Sequence, residues 1–336
     1  MSNIRQRKTE HVEIVAKDES MDRRKFYFDE IRLTHRALPE INLKDVDPSI
    51  EFLGKKLSFP FMISSMTGGS GEQLQTINTN LARAAEAEGV AMGVGSQRVM
   101  FSEPDAQMSF TLRGLAPHAL LCANLGAVQL NEGLTPEQIQ SAIDVLQADA
   151  LILHLNPLQE AVQPEGDTDF SSLWKKMEQL FQTLDKPIIV KEVGAGISNA
   201  DAELLIESGV KIIDVAGAGG TSWSRIEAAR CDDPSLGELF QDWGIPTPQA
   251  LKALAPLDVT LIASGGIRTG IDMAKAMILG ASLCGVARPL LTPAMESVDA
   301  VRAVIQRIRR EFTTAMFLLG AKTIDDLKGH EELILK

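Results

Sequence analysis

The chain has 336 residues, 45% hydrophobic and 23% charged, which is enough to bury a large core and long for one domain unless that domain is a (β/α)8 barrel. Its formal net charge of −12, without any long Lys/Arg run, argues against nucleic acid or an anionic membrane as the main partner and requires any anion site to be local. Cys122, Cys231 and Cys284 lack metal-type spacing, the N-terminus is polar, and no apolar run approaches a membrane span, so free thiols and a cytoplasmic location are expected.

In chain order, residues 1–55 are polar, charged and short of regular periodicity, with Arg5, Arg7, Lys8 and His11 close together, and read as an N-terminal extension and not as a barrel unit. From Phe59 onward short apolar runs alternate with helical stretches, the pattern of parallel strands joined by crossover helices. Eight strands are expected, at Phe61–Ser65, Ala91–Gly95, Leu120–Leu125, Ala150–Leu155, Pro187–Val193, Ile212–Val215, Val259–Ala263 and Leu283–Val286. The fold class is therefore α/β, a (β/α)8 TIM barrel over residues 56–336 behind the N-terminal extension. Thr135-Pro136-Glu137 and Ser198-Asn199-Ala200-Asp201 carry the capping and first-turn signals of helix starts. The connection from Gly217 to about Pro248 is the longest and holds Trp223 and Trp243, which suggests a functional segment.

In such barrels the chemistry lies at the C-terminal strand ends. Here those ends read Ser65-Met66-Thr67-Gly68-Gly69, Gly95-Ser96-Gln97-Arg98, Asn124, His154 to Glu160, Lys191-Glu192-Val193-Gly194 and Gly217 to Ser222, a polar and glycine-rich set. Lys191 follows Ile188-Ile189-Val190, and a lysine in a buried run needs an anion or a carbonyl-rich ligand. It suits either a Schiff-base lysine or a lysine beside the N1 and C2-carbonyl edge of a flavin. Val259 to Leu290 reads as strand, glycine turn, helix and strand. Gly265 and Gly266, free N–H groups of the helix starting after Thr269, and Arg268 would together hold a phosphate. A terminal phosphate site, a mid-barrel lysine and glycine-rich strand ends match a phosphorylated planar cofactor, FMN.

The stretches RKTEH (Arg7–His11), MTGG (Met66–Gly69), GSQR (Gly95–Arg98), HLNPLQE (His154–Glu160), VKEVGAGIS (Val190–Ser198), GAGGTSW (Gly217–Trp223), WGIPT (Trp243–Thr247) and ASGGIR (Ala263–Arg268) follow in order along nearly the whole chain. By these the chain resembles the type 2, flavin-dependent isopentenyl-diphosphate Δ-isomerases, with HLNPLQE and RKTEH the more specific motifs and ASGGIR common to many FMN barrels. Ala216 departs from the family pattern, which often has serine there.

The resemblance implies FMN contacts at Met66, Thr67, Gly68, Ser96, Asn124, Lys191 and Thr221, with the phosphate at Gly266, Ile267, Arg268, Ala287 and Arg288. It implies that Arg7, Lys8, Ser96, Gln97 and Arg98 meet the substrate diphosphate, that His154, Asn156 and Gln159 lie nearer the reacting end, and that Glu160 binds Mg2+. It also implies interconversion of isopentenyl and dimethylallyl diphosphate, with reduced FMN as acid and base, Lys191, His154 and Gln159 as the catalytic side chains, and a homo-oligomer, tetramer or octamer. Each glycine pair lacks the third glycine of a G-x-G-x-x-G, so NADPH is expected to reduce the flavin directly without a dinucleotide domain of its own. A 2-hydroxy-acid oxidase or dehydrogenase is the second possibility, although the late strands offer no histidine for it, and a non-catalytic flavin-binding barrel is the third.

Overall fold

The computed structural model describes residues 4–335. A hairpin, β1 (Ile50–Phe52) and β2 (Lys55–Leu57), precedes eight parallel strands: β3 (Phe61–Ile63), β4 (Ala91–Gly93), β5 (Leu121–Gly126), β6 (Ala150–Leu155), β7 (Ile188–Glu192), β8 (Ile212–Asp214), β9 (Thr260–Ser264) and β10 (Leu283–Val286). These eight close into a barrel in chain order, with β10 pairing back to β3. All eight expected strands are present, shifted at their ends by at most two residues. Helices between them bury the outer strand faces, and Thr135 and Ser198 cap helix starts as expected, each accepting a backbone N–H three residues on.

Strand side chains alternate in direction, so each barrel strand contributes every second residue to the interior. Met62, Ala91, Cys122, Ile152, Ile189, Ile212, Ile262 and Leu283 join in one buried apolar cluster, which Phe52 and Leu57 of the hairpin extend. Two residues further along each strand stand Ser64, Gly93, Asn124, His154, Lys191, Asp214, Ser264 and Gly285. The period of two therefore converts a packed apolar plug into a polar ring within one step.

The extension is more regular than its sequence suggests, because Ile4–Lys17 forms a helix of 14 residues. Lys8, His11, Val12 and Val15 make a stripe at helical spacing that lines the mouth of the barrel. Half of that stripe is polar because it faces a polar cavity, so the helix carries no clear apolar periodicity in its sequence. No helix among the described residues is long and apolar enough to cross a membrane.

Candidate active site

Above the polar ring the strand ends and the extension enclose a cavity of about 1440 Å³, larger than the usual 300–1,000 Å³ of a single small-molecule site and able to hold a cofactor and a substrate together. Nine of the side chains lining it are Lys or Arg and four are Asp or Glu, a local reversal of the protein's net charge.

Two hydrogen-bonded chains organise its floor. In the first, Asn124 Nδ2 donates to Ser65 Oγ at 2.9 Å and Asn124 Oδ1 lies 2.8 Å from His154 Nδ1, which fixes the imidazole ring. Burial, then the Lys191 and Lys8 charges, bring the His154 pKa down to about 4, so the ring is neutral at pH 7 with its Nδ1 proton committed to Asn124. In the second chain, Lys191 Nζ lies 2.8 Å from Asp214 Oδ2 and donates to Ser264 Oγ at 2.9 Å, while Ser264 Oγ donates to Asp214 Oδ1 at 2.7 Å. The buried lysine thus has an anion supplied by the protein, and its burial alone does not require a ligand, contrary to the inference from sequence.

At the far strand ends, the turn after β9 has Gly265 and Gly266 at φ 91° and 82°, and a Cβ at Gly266 would come within 2.9 Å of the Gly219 backbone. The helix N-terminus is less free than expected: Asp272 accepts from the backbone N–H groups of Arg268 and Thr269, and Glu311 accepts from Gly270. In the turn itself the N–H groups of Gly266 and Ile267 have no acceptor among the described residues. Arg268 stacks on Phe26 at 3.5 Å and pairs with Asp29, leaving its Nε buried without a hydrogen bond. Arg288 pairs with Asp22 at 2.7 Å, and Thr221 donates to the same carboxylate.

The other group of cations lies after β4 and on the N-terminal helix. Lys8 Nζ donates to the Ser96 carbonyl at 2.5 Å, and burial followed by the neighbouring Arg7 charge lowers its pKa to about 7. Arg98 pairs with Asp167, and Arg7 lies 3.8 Å from Glu165. Beside them, Asn156 Nδ2 donates to Glu160 Oε1 at 2.7 Å, and the Asp167 N–H donates to Glu160 Oε2 at 2.7 Å. Asn156 Oδ1 is buried without a donor. Burial raises the Glu160 pKa, and the Asp167 charge adds to the effect. Gln159 Nε2 donates to Glu227, a fully buried acid that also approaches His11 and pairs with Arg230.

Of the expected residues, Arg7, Lys8, Met66, Thr67, Ser96, Arg98, Asn124, His154, Asn156, Gln159, Glu160, Lys191, Thr221, Gly266, Ile267, Arg268, Ala287 and Arg288 line this one cavity. Gly68 and Gln97 are the exceptions. A Cβ at Gly68 would strike the Phe110 ring, which marks it as a packing position, and Gln97 is fully buried. Gln97 Nε2 donates to the Ala142 carbonyl and its Oε1 accepts from the Asn124 N–H, so its side chain turns away from the cavity. Asp214, Glu227 and Arg23 were not among the residues expected from the sequence; Arg23 donates to the carbonyls of Gly194 and Trp243 from across the chain. Only Asp214 left a usable signal, as an acid inside an apolar strand next to the one carrying Lys191.

Residues 2–104 and 127–334 match the family described as FMN-dependent dehydrogenase. The chain is 54% identical to an isopentenyl-diphosphate delta-isomerase of Paracoccus zeaxanthinifaciens, over 98% of this chain and 96% of that protein. It is 46% identical to one of Methanothermobacter thermautotrophicus, over 98% and 93%. Among solved structures, a flavocytochrome b2 variant with sulfite bound superposes with a TM-score of 0.71 at 20% identity, covering 97% of this chain and 82% of that one. A mandelate oxidase variant gives 0.63 at 19%, covering 96% and 91%, and at such identities these likenesses establish the barrel fold alone. With a near full-length match at this level of identity, the chain belongs to the isopentenyl-diphosphate delta-isomerases, within the FMN-dependent dehydrogenase family.

Proposed function

We propose that this cavity binds FMN, Mg2+ and an allylic or homoallylic diphosphate together, and interconverts isopentenyl and dimethylallyl diphosphate. The observation that carries the proposal is the presence of two separate cationic groups in one cavity, Arg268 and Arg288 at one side and Arg7, Lys8 and Arg98 at another, with the neutral His154 and the charged Lys191 on the floor. The turn amides of Gly266 and Ile267 fit the FMN phosphate, together with Arg268, whose buried Nε makes no hydrogen bond and lies 3.7 Å from Asp272. Glu160 and the orphaned Asn156 Oδ1 offer hard oxygen, and no group of three or more His, Cys, Asp or Glu that could hold a metal occurs among the described residues. One carboxylate suffices for Mg2+, which keeps waters and takes further oxygens from substrate phosphates.

Reduced FMN, primed by NADPH, would supply the acid and base that this reaction requires. Lys191 would present a cation to the ring edge, and Asn156, Gln159 and His154, which line the same cavity, would crowd the hydrocarbon end and fix its orientation. The N-terminal helix lines the cavity mouth and would cover the diphosphate and exclude water. Purified protein with FMN, NADPH and Mg2+ should convert isopentenyl diphosphate to an equilibrium mixture, followed by proton NMR; absence of turnover with flavin and metal bound would refute the assignment. A hydroxy-acid dehydrogenase is disfavoured because the loop after β8 reads Gly217-Ala218-Gly219-Gly220, and the only imidazoles lining the cavity among the described residues are His11 and the Asn124-bound His154.

Arg268→Ala should weaken FMN retention by about 1.5–3 kcal/mol, roughly 10- to 150-fold, through loss of a charge-assisted phosphate contact. Fluorescence titration of flavin-free protein measures this, and wild-type affinity would contradict it.

The Lys8 pKa of about 7 gives substrate binding a pH dependence. A diphosphate raises that pKa, so binding takes up a proton, is strongest below pH 7, and weakens by up to about tenfold per unit above it. Lys8→Met should flatten the rise of KM with pH, and deletion of residues 1–11 should raise KM sharply with FMN content intact. An unchanged KM after deletion would return the helix to a structural role.

A further inference from the structure

The polar ring contains one acid that does not line the cavity. Asp214 has no exposed surface, yet three groups converge on its carboxylate: Lys191 Nζ at 2.8 Å, Ser264 Oγ at 2.7 Å and the backbone N–H of Ala216 at 3.2 Å. Lys191 and Asp214 are register partners on β7 and β8, and Ser264 closes the triangle from β9. Two of the three ammonium protons are thereby directed to Asp214 and Ser264, and the third is left for the cavity that Lys191 lines. Ala216 stands at φ 37°, a conformation L-residues seldom adopt, and its N–H bond to Asp214 ties the strained strand end to the same carboxylate.

We infer that Asp214 is the positioning residue of this site: acting through Lys191 and Ser264, it keeps the lysine protonated and aimed at the ligand, and so sets the charge that the flavin ring meets. Burial disfavours an ammonium ion that lacks a counter-charge, and Asp214 supplies that counter-charge to Lys191 at 2.8 Å. The inference rests on the FMN proposal for its consequence at the ring, but the state of Lys191 can be measured without flavin.

In flavin-free protein, acetylation of Lys191 by a small amine reagent, read by peptide mass spectrometry between pH 6 and 10, reports the free-base fraction. Wild type should be protected through this range, and Asp214→Asn should react at least about tenfold faster at pH 8, where a neutral amine becomes populated. In the flavin-loaded protein, the midpoint potential of Asp214→Asn should fall relative to wild type as pH rises. A tenfold loss of preference for reduced flavin corresponds to about 30 mV for a two-electron couple. The alkaline limb of kcat should move to lower pH while KM for the diphosphate stays, and Asp214→Glu should restore part of the wild-type profile. Unchanged acetylation and an unchanged potential profile in a folded Asp214→Asn protein would overturn the inference. If that variant does not fold, Ser264→Ala decides the question on the same two measurements, with the same direction of change expected. Failure of wild type to bind FMN would refute the cofactor proposal and leave the acetylation result standing.

Discussion

Excess chelator should lower isomerisation by about a thousandfold or more while the flavin absorbance stays with the protein, because a divalent ion at a developing or bound anionic oxygen contributes several kcal/mol. Glu160 is the group at stake. Its two carboxylate oxygens are oriented by Asn156 and by the Asp167 N–H, so the side chain is fixed in place beside the unsatisfied Asn156 Oδ1. Burial holds its pKa above the usual carboxylate range. Metal binding needs the ionised form, so the Mg2+ requirement should become harder to saturate as pH falls. Glu160→Gln removes that charge and places an amide against an N–H donor, which should impair use of the diphosphate far more than flavin binding. An isomerisation rate unaffected by chelator would remove the metal from the site.

A flavin analogue with carbon in place of N5 should bind normally and still reduce isomerisation by roughly 10²- to 10⁴-fold, the range contributed by a positioned acid or base. The side chains assigned to the hydrocarbon end and the ring edge cannot substitute for it. His154 is neutral with a pKa near 4 and its Nδ1 faces Asn124, Lys191 is paired with Asp214, and Asn156 and Gln159 are amides. None of these groups is a strong acid able to protonate an unactivated alkene. In anaerobic protein one reduction by NADPH or dithionite should support many turnovers, and solvent deuterium should enter the allylic product. Stoichiometric consumption of NADPH, or full activity with the carbon analogue, would defeat this account.

Much of the architecture is legible along the chain because each barrel strand is a short apolar run whose buried face is decided locally. The same holds for the caps at Thr135 and Ser198, where side chain and backbone partner are three residues apart. The tight glycine turn at Gly265-Gly266 was legible, but which amides around it stay free was not. Whether the amides of Arg268, Thr269 and Gly270 are free depends on Asp272 and on Glu311, the latter 41 residues away. Gln97 shows the same limit in reverse, since it sits in a motif of contacts and yet its amide is consumed by Ala142 and Asn124.

Sequence by itself determined the barrel, the polar strand ends and the family, because strand period, turn glycines and motif order are properties of neighbouring residues. Tertiary structure alone decided which charges oppose one another. Lys191 meets Asp214 across a strand pairing, Arg288 meets Asp22 and Arg268 meets Asp29 across more than 200 residues, and Gln159 meets Glu227 from a separate helix. Electrostatic energy falls with distance in space and not along the chain, and burial multiplies it, so the protonation states that define this site exist only once the barrel has closed.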